Sequence, residues 1–247
     1  MIRIGIIGAM QKELYTIRKM CSINKKNKQS IFTSYFGTAY NANILIVESG
    51  IGKVLSAIST MHIIQSFNPH LIINVGISGS LKKDINIGSL ILSKKFCYHD
   101  VDVSAFGYNT GQIPRAPQYY YASKLFIKLI KKILIFNKLQ FKSGLIVSGD
   151  TFIYNKNILH AVKIKKFFPE ACAVDMETAA IAQVCQKFLI PYISIRSISD
   201  YVFNHAEKNF KKFCSFSVYQ YSFVILKIIK EIDAYYLQYK NLSKRFR

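Results

Sequence analysis

Short runs rich in isoleucine, leucine and valine recur along this chain, most ending in a small residue or a carboxylate, and helical stretches lie between them. IRIGIIG (2–8), NILIVESG (43–50), HLIINVG (70–76), SGLIVSGD (143–150), ACAVD (171–175) and YISIRSISD (192–200) read as strands, and GSLILSKKFCYHD (88–100) as one or two more. Between them, apolar residues recur at helical spacing. Residues 11–20 fit a helix with Leu14, Ile17 and Arg18 on one face, and 53–67, 119–136, 156–167, 177–188 and 207–236 fit further helices. Residues 21–42 carry no element on this reading. Strands alternating with helices predict an α/β fold, with a central mixed, largely parallel sheet flanked by helices. Such sheets place ligand sites at the carboxyl ends of their strands.

The 247 residues contain no repeat and no Pro/Gly/Ser linker, which predicts a single domain over 1–247 with a basic C-terminal tail from about 235. No apolar run reaches the roughly 18 residues of a membrane span, and the N-terminus turns polar after Met10, too soon for a secretory signal. A cytoplasmic protein is expected. The cysteines, Cys21, Cys97, Cys172, Cys185 and Cys214, are scattered and odd in number, which argues for reduced thiols rather than disulfides or zinc.

The net charge of +21 invites a nucleic-acid reading. The pattern opposes it. Of 34 basic residues 28 are lysine, dispersed as short pairs, without the arginine and aromatic interleaving of base readers. We read a solvated basic surface, with no nucleic-acid or membrane partner.

Acidic residues number only 13, and several sit just past a strand end: Glu13, Asp150, Asp175, Glu177 and Asp200. Each has an ordinary explanation. Glu13 suits a first helical turn, Asp150 a cap or turn, Asp175 an N-cap, Glu177 a first-turn acid and Asp200 a loop. Small residues, Ala9, Gly76, Gly79 and Ser199 among them, accompany the acids and let a ligand approach the backbone. As a set, carboxylates converging on one sheet edge are what acid–base cleavage of a glycosidic bond requires. The loop YHDVDVSAFGYNTGQIPRAP (98–117) is long, as binding loops are. His99, Asp100 and Asp102 lack further metal ligands at matched spacing, so no metal is assigned. SGIGK (49–53) lacks the spacing of a phosphate loop, and G-x-G-x-x-G is absent, so no cofactor is assigned.

Six stretches, in order, carry a resemblance: IGIIGAMQKE, SGIGKV, YHDVDVSAFGY with GQIP, GLIVSGDTFI, AVDMETAAIA and RSISD. Over residues 1 to about 230 the chain resembles the 5'-methylthioadenosine/S-adenosylhomocysteine nucleosidases of the purine nucleoside phosphorylase-like superfamily. The resemblance implies a homodimer that hydrolyses the N-glycosidic bond of 5'-methylthioadenosine and S-adenosylhomocysteine, and of 5'-deoxyadenosine, in methionine salvage. It implies Asp200 as the acid toward adenine N7, Glu13 as the group activating water, and Glu177 on the ribose hydroxyls beside Met176. Phe152 and the Ile153 backbone would frame adenine. Val103, Phe106 and Pro114 of a second subunit would line the 5' pocket, with Ile51, and Phe210 would close it. Ala9, Gly79, Arg196 and Ser199 would support the site.

Two departures stand out. Ile77 in NVGISG replaces a serine of the family's N-T-G-S-A-G, and Asp175 replaces a glutamate. Loss of a hydroxyl near the chemistry predicts reduced activity. Ser78 is adjacent, but neighbouring side chains of an extended strand point oppositely. A phosphate-dependent phosphorylase is the nearest alternative, with Arg196 its one basic candidate.

Overall fold

The computed structural model describes residues 1–28, 31–154, 157–203 and 206–245, with the side chains of 207–208, 210–217, 220 and 237–245 outside the described set. β1 (Arg3–Gly8), β4 (Ala42–Glu48) and β5 (Leu71–Ser80) are runs of buried aliphatic residues paired in parallel, β1 lying between the other two. Their apolar residues face helices on both sides, which is why they read as continuous apolar runs rather than alternating ones. β12 (Tyr192–Tyr201) pairs in parallel with β5 along almost its whole length. β10 (Leu145–Ser148) and β11 (Ala171–Asp175) pair in parallel with each other, and β7 (Lys95–Tyr98) pairs in parallel with β10.

The ten residues of β5 serve two parts of the sheet. Ile72 and Ile73 pair with β1, whereas Gly79 and Ser80 pair antiparallel with Val174 and Ala173 of β11. The carboxyl ends of β1, β5, β11 and β12 therefore meet in one place. The helices that follow these strands or their neighbours start there too: α1 (Gln11–Met20) after β1, α2 (Lys53–Phe67) after β4 and α5 (Thr178–Lys187) after β11. α2 packs on α5, and the long α6 (Ala206–Arg245) packs on β12 and α1.

The structure departs from the sequence reading at several places, the first being β5, which is expected to end at Gly76 and runs on to Ser80. Residues 21–42 hold β2 (Ser22–Lys28) and β3 (Thr33–Ala39), an antiparallel extension of the sheet beyond β4. β2, SINKKNK, is an exposed edge strand without apolar alternation, and its lysines blunt an edge that would otherwise template aggregation. The helix expected over 119–136 begins at Lys124 as α3 (Lys124–Phe136), because Tyr120 and Tyr121 pair with β7 as a two-residue strand. α6 runs on to Arg245, past the helix end expected at 236. Residue 156, the expected start of the helix before Pro169, lies outside the described residues, and α4 spans Ile158–Phe167. Among the described residues no helix is long and apolar enough to cross a membrane.

Candidate active site

Glu13 sits in the first turn of α1, where its carboxylate closes the helix start by accepting the Met10 N–H at 2.9 Å. Its other oxygen accepts the Ile77 N–H of β5 at 3.0 Å. The side chain is 2 % exposed. Burial raises its pKa, opposed by the Arg196 charge and by backbone N–H groups including Ile77 and Met10. Gly76 makes this approach possible: a Cβ there would lie 2.0 Å from Arg196 Nη1 and 2.6 Å from Glu13 Oε1. The helix-dipole explanation is thus only half of what holds Glu13. Its second partner comes from a strand 64 residues away.

Asp175 ends β11 and caps α5 from two residues before the N-cap position. Its Oδ1 accepts the N–H groups of Glu177 and Thr178 at 3.3 and 3.2 Å and the Ser148 hydroxyl at 2.6 Å. Its Oδ2 meets Arg196 Nη2 at 2.9 Å and accepts the Thr178 hydroxyl. Glu177, at the N-cap position itself, accepts the Gly52 N–H at 3.0 Å and lies 3.8 Å from Arg196 Nη2. Burial, then the Asp175 charge, pushes the Glu177 carboxyl up to about 7 against the pull of Arg196.

Asp200 follows a shift of register in β12, where Ile198 opposes Ser78 and Asp200 opposes Gly79. The extra residue, Ser199, re-aims the strand end as bulges do. Its hydroxyl donates to Asp200 Oδ1 at 2.6 Å. Burial pushes the Asp200 carboxyl up to about 6, with the Ser199 hydroxyl pulling the other way. Glu13 and Glu177 both feel Arg196; among the described residues no cation contributes to the shift of Asp200.

These groups line one cavity of about 310 Å³. Of the residues singled out in the sequence, Glu13, Glu177 and Asp200 are joined there by Ala9, Ile51, Gly79, Phe152, Met176 and Ser199. Arg196, 1 % exposed, does not line it but backs the carboxylates from within the sheet. Ile153 is buried in a satellite core rather than in the cavity wall. Val103 and Pro114 lie outside the cavity of this chain, as does Phe106, which is 80 % exposed. The Phe210 side chain lies outside the described residues. Asp150 is at the surface, where Oδ1 accepts the Lys53 N–H at the first position of α2, so it caps that helix rather than forming a turn.

Met10, Val174 and Asp175 also line the cavity and were not assigned to the site. Met10 and Val174 carried no polar signal, and each is placed by an acid nearby, Glu13 or Asp175. Ile77 and Ser78 both line it, so strand alternation does not remove Ser78 from the site; its hydroxyl is buried without a hydrogen-bond partner among the described residues. Among the described residues no group of three or more histidine, cysteine, aspartate or glutamate side chains is arranged to hold a metal.

A model of the phosphorylase superfamily matches residues 3–225 of the chain. A 5'-methylthioadenosine/S-adenosylhomocysteine nucleosidase of Buchnera aphidicola subsp. Acyrthosiphon pisum is 42% identical over 231 residues, covering 93% of this chain and 98% of the relative. Its namesake from Staphylococcus aureus is 40% identical over 210 residues, covering 85% and 91%. The crystal structure of the Neisseria meningitidis nucleosidase in complex with methylthio-immucillin-A matches with a TM-score of 0.88 at 34% identity, covering 93% of this chain and 99% of that one.

Proposed function

The chain belongs to the 5'-methylthioadenosine/S-adenosylhomocysteine nucleosidases of the phosphorylase superfamily, and on that premise we propose that its carboxylate-lined cavity hydrolyses the N-glycosidic bond of 5'-methylthioadenosine and S-adenosylhomocysteine. Adenine and a 5-thioribose are the products, which suits methionine salvage; 5'-deoxyadenosine, with the same base and ribose, is a third substrate.

The chemistry divides among three acids. Adenine leaves poorly as an anion, so Asp200 delivers a proton to N7 as the bond breaks; a carboxyl raised to about 6 by burial is suited to carry that proton. Positive charge develops on the ribose, and Glu177, accepting the ribose hydroxyls, stabilises it more in the transition state than in the ground state. Glu13 orients water on the face opposite the base and takes its proton. Met176 packs on the sugar and Phe152 on adenine.

One observation carries the hydrolytic reading over the phosphorolytic one. The cavity wall holds Glu13, Asp175, Glu177 and Asp200, and among the described residues no lysine, arginine or histidine lines it. Arg196 is consumed by Asp175, Glu177 and Thr178. Among the described residues a phosphate dianion meets no counter-charge on that wall, whereas neutral water has the Glu13 carboxylate to orient it.

Val103, Phe106 and Pro114 complete the 5' pocket of a second copy in a homodimer. Support comes from the apolar surface around them: Phe106 and Val54 are 80 % and 68 % exposed, and Val54 borders a groove with Val101 and Ile113. The four described cysteines are buried and unpaired, in keeping with a reducing cytoplasm.

The test is adenine release from each nucleoside with and without inorganic phosphate, alongside sedimentation to count subunits. Phosphate-independent release with a free reducing sugar is the expected result. A requirement for phosphate with formation of a sugar 1-phosphate overturns the reading.

A further inference from the structure

We infer that Thr178 is a positioning residue for the proposed hydrolysis, its hydroxyl fixing the Arg196 guanidinium between the carboxylates of Asp175, Glu177 and Glu13. The inference rests on the functional reading above and adds a residue that does not line the cavity.

Thr178 is fully buried at the first position of α5. Its Oγ1 accepts from Arg196 Nη2 at 2.8 Å and Nε at 3.2 Å, and from Asn74 Nδ2 at 3.0 Å. Its single hydrogen goes to Asp175 Oδ2. A hydroxyl has one donor and two acceptor sites, so the three N–H groups share two acceptor sites and no capacity is left over. Asn74 is itself anchored, donating to Tyr192 Oη at 3.0 Å, and that hydroxyl donates to the Thr178 carbonyl at 3.3 Å. The oxygen is therefore held from β5, β11 and β12 together.

What it holds is the cation of the site. Arg196 Nη2 lies 2.9 Å from Asp175 and 3.8 Å from Glu177, and Nη1 donates to the Val75 carbonyl at 3.2 Å beside Glu13, the two sharing the space over Gly76. Among the described residues the charged and titratable groups facing the guanidinium are Asp175 on β11, Glu177 at the start of α5, Glu13 on α1 and Tyr192 on its own strand. A guanidinium fork is directional. With Nε and Nη2 both on Thr178, its plane is fixed and its remaining field falls on Glu13 and Glu177. Without the hydroxyl, Nε loses its partner and the fork is free to turn onto Asp175 alone. Glu13 and Glu177 must be ionised to orient water and stabilise the ribose cation, and both would then hold their protons to higher pH.

Thr178→Ser and Thr178→Ala differ by one oxygen, and Thr178→Val keeps the shape without it. Adenine release from 5'-methylthioadenosine is followed across the pH range for all three and for the wild type, with thermal melts alongside. The serine variant is expected to keep kcat within about threefold of wild type, and alanine and valine to lose about tenfold or more in kcat with KM changed less than about threefold. The maximum of the profile should move to higher pH in alanine and valine and stay in place in serine. If valine does not fold, the serine–alanine pair decides. Alanine matching serine, serine falling as far as alanine, or a fall in kcat with an unmoved pH maximum overturns the positioning role. Wild-type protein that releases no adenine sinks the functional reading and this inference with it; wild-type turnover combined with any of those variant results sinks only the role of Thr178.

Discussion

At the amino ends of β1 and β5, Ile2 and His70 help line a cavity of about 530 Å³ together with Leu125, Phe126 and Leu129 of α3 and Tyr236 of α6. The cavity at the carboxyl ends of the same strands is smaller, about 310 Å³, yet it gathers four carboxylates. Among the described residues no acid lines the larger hollow. Its His70 is committed to the Arg3 N–H through Nδ1 at 2.9 Å. The contrast follows from chain direction. In a parallel sheet the helices that follow the strands present their N-termini, with unpaired N–H groups and positive dipole ends, at the carboxyl side. Glu13 takes the Met10 N–H at the start of α1, Glu177 the Gly52 N–H at the start of α2, and Asp175 two N–H groups at the start of α5. Buried carboxylates are tolerated at that end because donors await them there.

The comparison breaks most sharply on Asp200. Asp200→Asn should lower adenine release by roughly a hundredfold to ten-thousandfold, the range for loss of a general acid. Leu129→Ala, in the larger cavity, should leave kcat/KM within about twofold and cost about 2 kcal/mol or less of stability, since Leu129 is only partly buried. Comparable activity losses in the two variants would erase the distinction between the cavities.

Next in size is the pH profile. Asp200, raised to about 6, works protonated, and Glu177, raised to about 7, works ionised. The wild-type kcat/KM should form a narrow bell with its maximum between these values. A flat profile from pH 5 to 8 would show that these carboxyls do not govern the rate.

A smaller effect appears in stability. The Asp200 carboxyl rises from 3.8 to about 6, so it binds its proton more tightly folded than unfolded. Its stabilising contribution is complete below the unfolded pKa and is lost as pH rises through about 6. The amide of the Asp200→Asn variant does not titrate. Its stability should therefore gain on that of wild type between pH 4 and pH 8, by on the order of 2 kcal/mol, as read from denaturant melts at the two pH values. Melts that keep the same gap at both pH values would refute the burial argument.

The smallest expected change is a gain. Ile77→Ser returns a hydroxyl to a wall where the Ile77 N–H already holds Glu13, and turnover should rise by about twofold to fivefold. Steady-state kinetics showing no gain would mean that the Ile77 side chain costs the reaction nothing.

The strands that build this site were legible because burial on both faces writes itself as continuous aliphatic runs, and β1, β4, β11 and β12 lie within two residues of where those runs fall. β2 was not, since an edge strand faced by solvent has no apolar pattern to show. Glu13, Glu177 and Asp200 could be named as strand-end acids, and the family motifs assigned them roles. Asp150 carried the same signal and lies outside the cavity, because strand-end position alone does not say which way a side chain turns. Arg196 reads as an isolated arginine in an apolar strand; only its neighbours reveal it as the buried counter-charge of three acids.

By itself the sequence determined the alternating layers, the family and the short set of acids available for chemistry, since periodicity and motif spacing are local properties of the chain. The tertiary structure decided which acids share a hollow, which cation serves them and which hydroxyl holds that cation. Those are matters of distance between segments as far apart as Glu13, Ile77 and Arg196, and a carboxylate's proton affinity depends on what burial and pairing surround it with, not on its place in the chain.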